Sequence, residues 1–303
     1  MGSVLPDAVA SVVTAVRSTA PLVHCVTNVV VTNFTANILL AAGAAPAMVA
    51  DPEEAPVMAG AAGGLLINLG TVEGIQADGM RAAVDGATAA GVPWVLDPVA
   101  IGALPLRTRL AAELFARGPA VVRGNASEVQ ALAGGSGGRG VDSLDTPDGV
   151  RGVALDLARS SGAVIAVSGA SDLITDGERV VRVSAGTPLM TRVTGVGCSL
   201  GALVAACAAV TEDRLLAAVA ATAWLCVAAD LTASATPGSF AVELVDRVFD
   251  VDPEAVGYGA GLVNEAAARS GAGFTTGFTT GPSNRSTTGP GAAGTHESAR
   301  ADV

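Results

Sequence analysis

Lysine is missing from this 303-residue chain; all 17 basic residues are arginine. That excludes a Walker-type nucleotide site, whose grip on phosphate uses a P-loop lysine. The arginines are outnumbered by acidic residues, for a net charge of −11, and they form no basic cluster. Neither a nucleic acid nor an anionic membrane surface is therefore an expected partner. Histidine is almost as scarce. With only His24 and His296, a zinc cluster is not expected. The four cysteines, Cys25, Cys198, Cys207 and Cys226, lack C-x-x-C spacing and read as free thiols of a cytoplasmic protein, not a disulfide framework. Residues 1–20 show no basic stretch leading into a long apolar run, as a secretion signal would. No uninterrupted run of about 20 apolar residues suggests a membrane span. Residues 215–231 come nearest, but carry Thr222 and Asp230 and read as a buried helix. Aromatic residues make up only 3 % of a chain that is half hydrophobic, so Ala, Val and Gly must build the core, which suits close packing of helices on a sheet.

What is present is alternation. Short apolar runs at residues 21–27, 45–50, 64–69, 93–96, 120–123 and 163–167 read as buried strands, separated by helical patterns at 7–18, 31–42, 73–90, 108–117, 127–133 and 149–160. Residues 51–54 lead into a further short helix, and residues 134–140 form a Gly-rich loop. Asp172–Thr175 and Arg179–Val183, separated by Asp176-Gly177, read as a hairpin. Helices are expected at 199–210, 214–233 and 239–269. From Gly271 the composition turns to Gly, Thr and Ser, a tail too poor in apolar surface to order itself, so residues 1–270 are expected to form a single domain. Strands alternating with helices imply an α/β fold with a largely parallel central sheet covered by helices on both faces. Ligands then bind beyond the carboxyl ends of the strands, among Thr27, Asn28, Met48, Asn68, Asp97, Arg123 to Glu128, and Ser168.

One turn stands out, Thr194-Gly195-Val196-Gly197-Cys198, directly before the small-residue helix. Two glycines two apart let backbone N–H groups converge, and a helix N-terminus adds its positive end, so the turn is suited to an anion. Cys198 on the first helical turn is expected to have an acidified thiol. A nucleophilic role for Cys198 would need His24 as base; inside an apolar strand, His24 reads first as a packed core residue. Asp97 precedes Pro98 and reads either as a turn or as a magnesium carboxylate. Glu128 pairs with Asn125 at capping-box spacing, or shares that metal through water. Arg123, at a strand end, is the best-placed cation for nucleotide phosphate, and Ser168 adds a hydroxyl before Gly169.

Taken together, these residues resemble the hydroxyethylthiazole kinases of the ribokinase-like superfamily. The resemblance lies in Val23-His24-Cys25-Val26-Thr27-Asn28, Asn33-Phe34-Thr35-Ala36-Asn37, Gly43-Ala44-Ala45-Pro46-Ala47-Met48 and Asn68-Leu69-Gly70-Thr71. It continues in Leu96-Asp97-Pro98-Val99, Arg123-Gly124-Asn125-Ala126-Ser127-Glu128, the Thr194–Cys198 turn and Pro237-Gly238-Ser239-Phe240. It implies a ribokinase-like fold, a homotrimer with sites between subunits, and transfer of phosphate from ATP with Mg²⁺ to 4-methyl-5-(2-hydroxyethyl)thiazole for thiamine biosynthesis. By position, Met48, Asn28 and Gly195 would contact the thiazole. Arg123, Ser168 and Asn125 would contact ATP, and Asp97 and Glu128 would hold the metal. Gly195, Gly197 and Cys198 would carry the catalytic turn. A sister kinase acting on hydroxymethylpyrimidine, a dehydratase that repairs hydrated nicotinamide cofactors, and a non-catalytic thiazole- or thiamine-binding protein are the alternatives. The dehydratase resembles the form of the turn with Asp in place of Cys198. The chain also departs from the family after Val99, where Ala100 and Leu104 stand at positions the family commonly fills with Gly and Thr.

Overall fold

A computed structural model describes residues 2–134 and 146–267. The Gly-rich loop lies largely outside the described residues, and the tail from Gly271 lies wholly outside them. The elements run α1 (Pro6–Thr19), β1 (Leu22–Val26), α2 (Thr32–Ala41), β2 (Ala45–Ala47), α3 (Ala55–Ala61), β3 (Gly64–Asn68), α4 (Gly74–Ala90) and β4 (Trp94–Asp97). Next come α5 (Pro105–Phe115), β5 (Val121–Asn125), α6 (Ala126–Leu132), α7 (Arg151–Ser161), β6 (Val164–Ser168), β7 (Asp172–Thr175) and β8 (Arg179–Val183). A 3₁₀ turn (Pro188–Arg192) leads into α8 (Val196–Ala208), α9 (Arg214–Asp230), α10 (Pro237–Asp250), α11 (Pro253–Gly259) and β9 (Val263–Ala266).

The described strands form one sheet in the order β2-β1-β3-β4-β5-β6-β7-β8-β9. Pairing is parallel from β2 to β6 and antiparallel from β6 to β9. The period-2 alternation of each strand divides its apolar residues between two cores. Val23, Cys25, Leu66, Val95, Val121 and Val164 pack with α1, α2, α8, α9, α10 and α11. Their neighbours Val26, Leu65, Ile67, Trp94, Leu96, Val122 and Ile165 pack with α3 to α7. This is the expected parallel sheet with both faces covered, and it explains why the central strands read as continuous apolar runs.

The C-terminal segment differs from expectation. The single helix expected over 239–269 is two helices and a strand. Val251 leaves the helical region at ψ 132°, Asp252 caps α11 from outside with Pro253 at its first turn, and β9 then pairs antiparallel with β8. A proline three residues after the end of a helix cannot extend it, so the break has a local cause.

Parallel register brings the strand ends level. Asn68 ends β3 beside Asp97 at the end of β4, and Asn125 at the end of β5 lies beside Ser168 at the end of β6. The site therefore collects at the carboxyl ends of the central strands, facing the start of α8.

Candidate active site

Gly195 is the N-cap of α8 and adopts φ +96°, a left-handed backbone that glycine takes without strain. The Ser199 N–H bonds back to the Gly195 carbonyl at 2.8 Å. The N–H groups of Val196, Gly197 and Cys198, which precede that bond, have no partner within the helix. Gly197 and Cys198 are half-buried. The first-turn amides of Gly197 and Cys198 therefore lie at a partly open surface.

Arg123 lies against this turn. A Cβ built on Gly197 would stand 3.1 Å from Arg123 Nη1 and 3.2 Å from Nη2. Arg123 Nη2 donates to Ser168 Oγ at 2.9 Å, and Nη1 is 3.8 Å from Asp97 Oδ1. The guanidinium therefore joins two other expected site residues, Ser168 and Asp97, to the glycine turn.

Asp97 is fully buried. Its Oδ2 accepts from Asn68 Nδ2 at 2.7 Å, while its Oδ1 has no hydrogen-bond partner among the described residues. Burial pushes the carboxyl up to about 7; Arg123 and the Asn68 bond pull it down, and the charge of Glu128 adds to the rise. Asn68 Oδ1 accepts from Asn28 Nδ2 at 2.9 Å and from the Gly70 N–H at 3.0 Å. Asn28 Nδ2 also lies 3.5 Å from Cys198 Sγ. An amide chain thus connects the thiol with the buried carboxylate. The sequence placed Asn68 at a strand end and in a motif but assigned it no role. Its signal was position, a polar residue closing a wholly apolar strand.

The thiol itself is a correction. Cys198 was expected to be acidified, yet its pKa is raised, first by burial and then by the charge of Asp97, against the smaller opposing effects of Asn68, Arg123 and Asn28. Burial, helped by a carboxylate in the same pocket, outweighs the positive end of the helix, so Cys198 is a neutral thiol at pH 7. His24 is buried and donates from Nε2 to the Val49 carbonyl at 2.7 Å, and burial lowers its pKa. It is the core residue expected.

Glu128 is placed by a complete capping box with Asn125. Asn125 Oδ1 accepts from the Glu128 N–H at 2.9 Å, and Glu128 Oε2 accepts from the Asn125 N–H at 2.8 Å. Glu128 Oε1 also accepts from the Ala100 N–H at 3.0 Å. The structural reading of this pair holds, and the carboxylate still stands close enough to act on Asp97. Two nearby carboxylates, one with an orphaned buried oxygen, fit a divalent cation that retains most of its water. Among the described residues no group of three or more His, Cys, Asp and Glu is arranged to hold a metal ion. Met48 follows β2, half-buried against the core, and none of the hydrogen bonds above reaches it. The groove between α2 and α10, lined by Asn37, Leu40 and Phe249, shares no residue with this set.

The altered loop after Val99 leaves a mark. Ala100 sits at φ +58°, where a Cβ is strained, and Leu104 is the N-cap of α5 with no side-chain hydrogen bond. Ala100→Gly should stabilise the protein by about 1 kcal/mol, because the loop keeps its backbone and loses the clash. In a thermal melt that is a rise of roughly 2–4 °C. A fall would mean that Gly costs more in the unfolded chain than the left-handed Ala costs in the folded one.

A mostly parallel sheet with helices on both faces, and an open glycine turn facing a buried carboxylate and an arginine, define a ribokinase-like small-molecule kinase. The structure superposes on a Bacillus subtilis pyridoxal kinase in an ADP complex with TM-score 0.51 at 16 % identity, covering 71 % of this chain and 93 % of that one, a likeness of fold. The chain belongs to the hydroxyethylthiazole kinase family, whose model matches residues 13–254. It is 57 % identical over 243 residues to a hydroxyethylthiazole kinase of Cronobacter sakazakii, covering 79 % of this chain and 91 % of that one. It also superposes on the hydroxyethylthiazole kinase protein of Pyrococcus horikoshii with TM-score 0.79 at 36 % identity, covering 85 % of this chain and 98 % of that one.

Proposed function

We propose that this protein transfers the γ-phosphoryl group of ATP to the hydroxyl of 4-methyl-5-(2-hydroxyethyl)thiazole, giving the thiazole phosphate used in thiamine biosynthesis. The observation that carries the reading is the close approach of the Arg123 guanidinium to the Gly197 turn, with Asp97 Oδ1 3.8 Å from the same guanidinium. The charge that spreads over the phosphoryl oxygens in transfer is met by preorganised N–H donors of residues 196–198 and by Arg123. Ser168 holds that guanidinium in place, and Asn125 with Glu128 fixes the strand end beside it. Asp97 and Glu128 would hold Mg²⁺, which when bound neutralises phosphate charge. Asn28 and Gly195 border the acceptor side of the turn, with Met48 closing the thiazole pocket. The neutral Cys198 thiol lines the anion site and takes little part as a base. The catalytic domain is residues 1–270.

We infer that the protein is cytoplasmic and works as a homotrimer with shared sites. Among the described residues no helix is long and apolar enough to cross a membrane. Val29 and Val30, next to Asn28, are 76 % and 64 % exposed, an apolar rim that a neighbouring subunit would cover. Sedimentation equilibrium checks the trimer.

The test of function follows ADP release with the thiazole alcohol and with hydroxymethylpyrimidine as rival acceptors. Turnover of the first alone is expected. Binding without ADP formation, or turnover of the pyrimidine alone, would overturn the assignment. Cys198→Ala should remain folded and lose about 10–100-fold in kcat, because the thiol only lines the anion site, while positioning and charge stabilisation by the turn and Arg123 carry most of this reaction. A folded, ATP-binding Cys198→Ala with no activity would make the thiol essential.

A further inference from the structure

Ser168 owes its place to a turn, residues 168–171, between β6 and β7, and that turn is fastened from several sides. Asp172, the first residue of β7, is buried at 7 % exposure, and its Oδ1 accepts from the Gly169 N–H at 2.8 Å. Its Oδ2 lies 3.7 Å from the Cys226 thiol of α9. Behind Gly169 stands the ring of Pro147; a Cβ built on that glycine would come within 2.5 Å of Pro147 Cγ. Ser171 Oγ pairs with Ser184 Oγ at 3.0 Å. Burial pushes the Asp172 carboxyl up to about 6, with the Gly169 N–H, the Arg123 charge and Cys226 pulling it down. A carboxylate kept under cover, close enough to feel Arg123, has a use beyond solubility.

We propose that Asp172 is a positioning residue for the nucleotide, pinning the Gly169 N–H so that the Ser168 hydroxyl and the Arg123 guanidinium meet ATP as one preformed pair. Asp172 touches no phosphate; it acts through Ser168. Without its acceptor the exposed Gly169 N–H turns to water and the turn takes more than one geometry, of which ATP binding must select the competent one. The thiazole side of the site, built on β1, β3 and α8, is fastened by other bonds. This inference rests on reading Arg123 and Ser168 as ATP contacts.

The experiment measures both Michaelis constants in full-length variants, with thermal melts as a check on folding. Asp172→Ala should raise KM for ATP about tenfold and leave KM for the thiazole within about twofold. Asp172→Asn, whose amide oxygen can still accept from Gly169, should keep KM for ATP within about twofold. Asp172→Glu keeps the charge but displaces the acceptor by a methylene, and should raise KM for ATP severalfold; it decides the matter if the alanine variant does not fold. An unchanged KM for ATP in folded Asp172→Ala or Asp172→Glu, or an equal rise in both constants, overturns the proposal. Arg123→Ala separates the two layers. If it too leaves KM for ATP unchanged, the ATP-site reading has failed; if it raises that constant while Asp172→Ala does not, only the present inference has.

Discussion

Replacing Gly197 by valine is expected to abolish turnover in a protein that still folds. Even the first atom of a side chain there would stand 3.1–3.2 Å from both terminal nitrogens of Arg123, closer than nearly all real Cβ contacts. An alanine asks the guanidinium to give by a few tenths of an ångström. A valine adds two γ-carbons beyond that point and pushes the guanidinium off Ser168 and Asp97. It also places apolar bulk where the phosphoryl oxygens would meet the N–H groups of residues 196–198. Losing one preorganised donor costs about 10²–10³ in kcat, and valine displaces more than one, so kcat/KM should fall by about 10³ or more. Alanine should lie between, at about tenfold. Stability should hold, since valine is no worse than glycine within a helix. Circular dichroism melts and a coupled ADP assay on the three proteins check the series. A valine variant keeping a tenth of wild-type activity would mean that phosphate is held elsewhere.

The residues that make this prediction possible were readable to unequal degrees. The parallel strands are plain in the sequence, because burial on both faces leaves apolar runs, and β3, β4 and β6 each end in a single polar residue. The glycine turn was equally plain, since few other uses exist for glycines two apart at the start of an apolar helix. The partner of that turn was half readable. Arg123 could be placed at a strand end, but its contact with Gly197 joins residues 74 apart in sequence and depends on the register of β5 and the seating of α8. The amide chain from Cys198 through Asn28 and Asn68 to Asp97 draws on β3, β4, α8 and the end of β1, and no local pattern announces it. The acidified thiol was misjudged for the same reason. Its pKa is set first by burial and then by Asp97, a carboxylate on β4 whose own depth of burial cannot be read from an Asp-Pro pair. In the sequence Asp172 marks only the start of a hairpin strand, because burial of a charged strand residue leaves no trace in composition.

Asp97→Asn should be both inactive and more stable than the wild type. Activity falls because the orphaned Oδ1, the group best placed to meet a cation, becomes part of a neutral amide, and Arg123 loses its buried counter-charge. Loss of metal-assisted charge stabilisation amounts to several kcal/mol, or about a thousandfold or more in kcat. Stability moves the other way. The side chain is isosteric and its carbonyl can still accept from Asn68 Nδ2, so the chain of amides survives. What disappears is an ion held under full burial. An unfolded aspartate titrates near 4, whereas burial pushes Asp97 up to about 7 in the folded protein. Between those values the folded state keeps a proton that the unfolded state has released, so wild-type stability falls as pH rises across the window and then levels off. The asparagine variant lacks this dependence. Without ATP and Mg²⁺, its melting temperature should exceed that of the wild type at pH 8, and the gap should narrow steadily toward pH 5. Saturating Mg²⁺ and ATP should reverse the order, since only the wild type has the carboxylate that gains from the cation. A variant less stable than wild type at pH 8 without ligand would show that Arg123 compensates Asp97 more fully than burial penalises it, and the site would then be an ion pair at rest rather than an anion waiting for its metal.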